Sequence, residues 1–145
     1  MKNLKKITFL LLTAIAFISC SVDDNNSSAC ETCTYSPANG ETTTTVPTVL
    51  QKDYNVIVDT SVNGYRFAKG TIASFKVEAT KLTVNFDNEP CFTMENPVAS
   101  ANGGEIIFTD NCNENITYRI SGGSSLNEIN IISISGTFLA SIKAQ

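Results

Sequence analysis

The strongest constraint on this chain is that its apolar and polar residues alternate from Tyr54 onward, with successive segments keeping the same phase. Period-two alternation marks half-buried strands, and a slip of one residue would exchange the two faces of every strand. Asn63-Gly64 is a strong hairpin signal because both residues tolerate the positive φ of a tight primed turn. A two-residue turn there pairs Val62 with Tyr65, Thr60 with Phe67 and Val58 with Lys69. Val56, Val58, Val62, Tyr65 and Phe67 then fall largely on one face. Asp59, Ser61 and Arg66 fall on the other, with Asp59 diagonal to Arg66. A second reversal at Thr80-Lys81 sets Ala79 opposite Leu82, Val77 opposite Val84 and Phe75 opposite Phe86. Thr-Lys is poor chemistry for so tight a turn, and a longer loop would keep the same parity.

Further along, residues 96–104 suit either one helical turn, with Pro97 at its first position, or a hairpin on Asn102-Gly103. Strands are expected at 105–109 and 116–121, the second with Ile116, Tyr118 and Ile120 inward and Thr117 and Arg119 outward. A turn is expected at 122–125. Residues 126–143 are too long for one flat strand, and their apolar phase switches, so a bulge or bend is expected at Ile131-Ile132 or near Gly136. The fold class that follows is all-β: a single antiparallel meander forming a small barrel or β-sandwich.

The N-terminus reads differently. Met1 is followed by Lys2, Lys5 and Lys6, then by an apolar run over 7–18, then by Ser19-Cys20. A basic head, a short apolar core and a small residue describe a cleaved secretory signal, since a bilayer span takes about 20 apolar residues. The ending Ile18-Ser19-Cys20 resembles the lipobox of bacterial lipoproteins, with Phe17 where that family prefers Leu. The resemblance implies lipidation of Cys20; the alternative is an ordinary signal with a chance cysteine. Ser21, rather than Asp, implies the outer membrane in that family. Asp23-Asp24 is similar to the acidic tether of surface-exposed lipoproteins, the alternative being a plain solvated linker. The segment 134–138 also resembles the last strand of small, uncharacterised surface lipoproteins, which carry no assigned chemistry.

These features divide the chain into a signal (1–19), a lipidated cysteine with a polar tether (20–29), a Cys-x-x-Cys and edge region (30–53) and a β-domain (54–145). Residues 42–45, all Thr, suit an extended solvent-facing edge, and Pro47 argues against a central strand.

Removing residues 1–19 leaves 126 of the 145, enough for one domain with a real core. The signal takes three of the ten basic residues and none of the fourteen acidic ones, leaving a formal charge of −7. Such a chain is a poor partner for nucleic acid or anionic lipid, so membrane contact is expected through the lipid alone. The absence of His removes the commonest general base and metal ligand, and the absence of Trp removes the best sugar-stacking surface. No enzyme activity and no cofactor are expected.

Four cysteines remain for an oxidising compartment, and two disulfides are expected. Spacing favours Cys91–Cys112 with Cys30–Cys33, although a hairpin on Asn102-Gly103 places Thr93, not Cys91, opposite Cys112. Cys30-x-x-Cys33 as a redox or copper site is the alternative; it lacks a helix N-terminus and further ligands. Asp87, Asn88, Glu89, Asp110, Asn111, Asn113 and Glu114 flank Cys91 and Cys112. A bridge between those cysteines would gather an oxygen-rich knob, with Asp87, Glu89, Asp110 and Glu114 as calcium candidates against a plain solvated loop end. Paired carboxylates for glycoside hydrolysis would need a cleft rather than exposed loops.

The expected role is a lipid-anchored protein displaying a non-catalytic β interaction domain at the outer membrane, facing a protein or other envelope component. One alternative is a carrier of a small apolar ligand, its cavity lined by Val56, Val58, Phe67, Phe75, Val84 and Phe86. Another is a small inhibitor or immunity lipoprotein.

Overall fold

The computed structural model describes residues 29–121 and 128–145. The signal, Cys20, most of the tether and the turn expected at 122–125 lie outside them. Among the described residues ten strands form one sheet: β1 (Glu31–Thr34), β2 (Asp53–Ser61), β3 (Ile72–Val77), β4 (Lys81–Phe86), β5 (Phe92–Glu95), β6 (Val98–Ala99), β7 (Glu105–Asp110), β8 (Ile116–Ser121), β9 (Glu128–Ser133) and β10 (Phe138–Ala144). The spatial order is β1-β5-β4-β3-β2-β10-β9-β8-β7-β6. All neighbours are antiparallel except β1 and β5, which run parallel. The sheet curls into a half-barrel.

Alternation places the core as the phase argument requires. Tyr54, Val56 and Val58 of β2, Phe75 and Val77 of β3, and Leu82, Val84 and Phe86 of β4 all turn inward. Ile116, Tyr118 and Ile120 of β8 and Ile129 and Ile131 of β9 meet them across the hollow. Phe75 packs edge-on to Phe86 and Tyr118, with ring centroids 6.1 Å apart in each pair.

Two meanders, β2–β5 and β6–β10, meet where β2 pairs with β10. β5, covered on its outer side by β1, is joined to β6 by Asn96-Pro97 alone, so the chain crosses from one side of the sheet to its far edge within two residues. Asn96 adopts φ 60°, and Pro97 has no N–H for a ladder. The hairpin on Asn102-Gly103 is present, pairing Val98 with Ile107 and Ala99 with Ile106. The open side is partly closed by residues 42–46, a strap whose Thr44 N–H bonds Pro97 O (2.9 Å) and whose Val46 N–H bonds Ala79 O (2.8 Å). Thr43 bridges Val98, which agrees with the expected edge role. Val46 and Leu50, the latter in a 3-10 turn (Thr48–Leu50), are buried behind it.

Four expectations need correction. Asn63-Gly64 does form a tight turn, with Tyr65 N–H bonded to Val62 O at 3.2 Å, but β2 does not pair across it. Its partner β3 begins at Ile72, and Gly70 and Thr71 close that ladder on Val58. Asp59 therefore meets Lys143 at 2.9 Å rather than Arg66. The β3–β4 turn is centred on Ala79-Thr80, pairing Val77 with Leu82 and Phe75 with Val84. The register moves by two, so every side chain keeps its face. The phase switch near Gly136 (φ 92°) is a reversal between β9 and β10 rather than a bend in one strand. The 134–138 segment is accordingly mostly turn, with only Phe138 opening β10.

The disulfides are Cys30–Cys91 and Cys33–Cys112, not Cys30–Cys33 with Cys91–Cys112. The reason is geometric. Cys33 lies on β1 and Cys30 directly precedes that strand, and in extended chain three residues span about 10 Å, too far for one S–S bond. Glu31 stands opposite Phe92 in the ladder, which sets Cys30 beside Cys91. Cys33, the one inward residue of β1, reaches across the open side to Cys112.

Candidate functional site

Strand directions place five features at one end of the half-barrel: the start of β1, the β2–β3 loop, the β4–β5 loop, the β7–β8 turn and the β9–β10 turn. After the Asn63-Gly64 turn the chain folds back over this end of the core. Phe67 goes in and stacks on Phe86, with centroids 3.7 Å apart and planes 12° from parallel. Arg66 goes out, its guanidinium 4.6 Å above the Phe67 ring.

Arg66 is the hub of the site. Its Nη2 donates to Glu89 at 2.7 Å and its Nη1 to Glu114. Thus one cation from the β2–β3 loop ties together the β4–β5 loop and the β7–β8 turn. Asp110, at the end of β7, is almost fully buried. Its Oδ1 accepts the N–H groups of Cys112 (3.2 Å) and Asn113 (3.0 Å), which shapes that turn. Asn88 and Asn115 take positive φ in the two loops, as Asn readily does. The result is a cleft of about 260 Å³ whose lining includes Glu31, Arg66, Phe67, Glu89, Asp110 and Glu114, with the Phe92 ring.

Behind this cleft, the Tyr65 and Tyr118 hydroxyls are buried without a hydrogen-bond partner among the described residues. Burial, followed by the negative charge of Glu114, pushes the Tyr65 hydroxyl well above its ordinary pKa. Burial does the same for Tyr118. Both stay neutral and are poor proton donors near neutral pH.

Three of the four calcium candidates, Glu89, Asp110 and Glu114, therefore come together, while Asp87 lies outside the cleft lining. They are already engaged: two face a guanidinium and one holds two backbone amides. The Cys33, Asp110 and Cys112 ligand atoms lie within 4.8 Å of one another, but the two sulfurs are bonded to each other and offer no thiolate. Sequence reasoning missed Arg66 as the hub and Glu31 as a wall. The available clue was that Arg66 is one of only two arginines in an acidic chain.

At the opposite end, Thr43, Thr44, Thr45, Thr80, Asn96 and Pro97 line a shallow polar groove along the strap. No family model matches the chain, and neither a curated protein nor a solved structure matches it.

Proposed function

We propose that this chain is a lipid-anchored cell-envelope protein, attached through Cys20 at the outer membrane, whose non-catalytic β-domain binds a partner at the Arg66 cleft. The observation that carries the reading is the filled interior. Phe75, Phe86, Phe108, Tyr118, Leu82 and Met94 are all fully buried inside the curl, which leaves surface features to do the recognition. The same packing speaks against a carrier, whose ligand would need that volume. Four carboxylates (Glu31, Glu89, Asp110, Glu114) against one guanidinium, beside the Phe67 and Phe92 rings, favour a basic segment of a protein partner.

The tether bears on where such a partner would sit. It joins the domain at Cys30, at the cleft end, and the ten residues from Cys20 to Cys30 span at most about 35 Å. An anchored domain would hold the cleft within that distance of the lipid, suiting a partner that is itself an envelope component. Fatty-acid labelling lost in Cys20→Ala tests the anchor. A photo-cross-linking residue at Glu31 tests the cleft: one stoichiometric protein supports the reading. Co-purification of an apolar small molecule without a protein would favour the carrier.

A further inference from the structure

Apart from its disulfides, β1 is held to the sheet by one short parallel ladder with β5 and a few polar contacts. Of its four residues only Cys33 turns inward, so the strand brings no apolar side chain to the core. Its ladder with β5 ends in two long bonds, Glu31 N–H to Cys91 O and Tyr35 N–H to Glu95 O, both 3.3 Å. The remaining contacts are exposed and polar: Thr34 Oγ1 to Glu95 (3.0 Å) and Asn96 Nδ2 to Tyr35 O (3.1 Å). The strap that follows is held separately, by its bonds to Pro97 and Ala79 and by the burial of Val46 and Leu50. Two covalent bonds and one short ladder therefore secure residues 29–41, and the bonds do so at the cleft, where Glu31 and Cys91 form part of the wall.

We infer that β1 is a redox-released latch: reduction of Cys30–Cys91 and Cys33–Cys112 frees residues 29–41 and opens the cleft wall while the sheet from the strap onward stays folded. At each bridge a dithiol reductant donates two electrons and two protons. The S–S bond breaks, two cysteine thiols form and the reductant closes into its own disulfide. Cys112 is exposed and Cys30 and Cys91 are half-buried, so a thiolate has access. The consequence for partner binding rests on the reading of the cleft given above; the release itself is a property of the chain alone.

Amide exchange of the purified full chain, before and after treatment with a dithiol, tests the release. Strand alternation points the N–H groups of Cys33, Thr93 and Glu95, like those of Glu31 and Tyr35, into the β1–β5 ladder. Exchange at these five should accelerate at least about 100-fold more than at Val56, Tyr118 and Ile131, which follow only the general loss of stability, the pattern of local rather than global opening. The variant with all four cysteines replaced by Ser should show the same pattern without reductant. Uniform acceleration would mean the bridges hold the whole fold, and unchanged exchange at Glu31 and Tyr35 would mean the ladder alone holds β1. Either result overturns the latch. Cross-linking to the oxidised protein tests the cleft independently, and its failure would leave the exchange result standing.

Discussion

Arg66 bonds Glu89 across 2.7 Å, pinning the β2–β3 loop onto the β4–β5 loop at the end of the core. Both side chains remain partly exposed, so solvent screens the pair and a single contact of this kind contributes about 0–1 kcal/mol. Its larger effect is on charge. With Arg66 present, Glu89 and Glu114 have a partner; without it, they and Asp110 repel one another.

That makes calcium the informative titrant. Millimolar calcium and a chelator should give the wild type superimposable melts, apart from a screening effect that sodium at matched ionic strength reproduces. Arg66→Ala should melt slightly lower without metal and gain a calcium-specific rise, because binding to the native state alone stabilises it by mass action. A calcium-specific rise of several degrees in the wild type would show that the carboxylates are free for a metal after all.

Removing either disulfide should cost about 2–5 kcal/mol, since each closes a long loop in the unfolded chain. The sequence separations are 61 and 79 residues. Cys33→Ser with Cys112→Ser should therefore lower the melting temperature at least as much as Cys30→Ser with Cys91→Ser. A non-reducing digest should yield Cys30 linked to Cys91; a peptide joining Cys30 to Cys33 would refute the pairing.

The acid limb of stability should depend on Asp59. Its carboxyl accepts a bond from Lys143 Nζ at 2.9 Å. That bond, with the positive charges of Lys143 and Lys69, holds its pKa below the ordinary carboxylate value. A depressed folded pKa means the stabilisation is complete above the unfolded value, about 3.9, and is lost as pH falls through the folded one. Lys143→Met should raise the Asp59 midpoint in a carboxyl NMR titration. Glu95, lowered first by Lys81 and then by Thr34, should respond likewise to Lys81→Met.

Tyr118→Phe should be neutral or stabilising, because the buried hydroxyl it removes has no partner among the described residues. Phe67→Ala should cost about 3–5 kcal/mol, as expected for deleting a buried ring. Thermal melts of the two variants read both effects. A strongly destabilised Tyr118→Phe would show that the hydroxyl is satisfied in solution.

The sequence carried the local half of this structure well. The strand Ile116–Ser121 and the faces of Phe75, Val77, Leu82, Val84 and Phe86 follow from alternation, which depends only on neighbours in the chain. The Asn102-Gly103 hairpin follows from turn chemistry. What was not legible depends on contacts distant in sequence. Arg66 was assigned to Asp59 because a hairpin partner is the nearest acid one can infer, whereas Glu114 lies 48 residues away. The pairing of β2 with β10 has no local signature at all. The cysteine pairing failed for the same reason, since it depends on β1 slotting beside β5.

The two disulfides interleave: the chain order is Cys30, Cys33, Cys91, Cys112, and each bond skips the nearest available thiol. A polypeptide emerging N-terminus first presents Cys30 and Cys33 together long before Cys91 exists, so simple sequential oxidation would join the wrong partners. Maturation then becomes a matter of rearrangement as much as oxidation, and uncatalysed reshuffling is slow, from minutes to hours. Reoxidation of the reduced chain with an oxidant alone should stall at mispaired species that a disulfide isomerase resolves. The yield of this protein in an expression host would then follow that host's isomerase capacity more closely than its oxidising power.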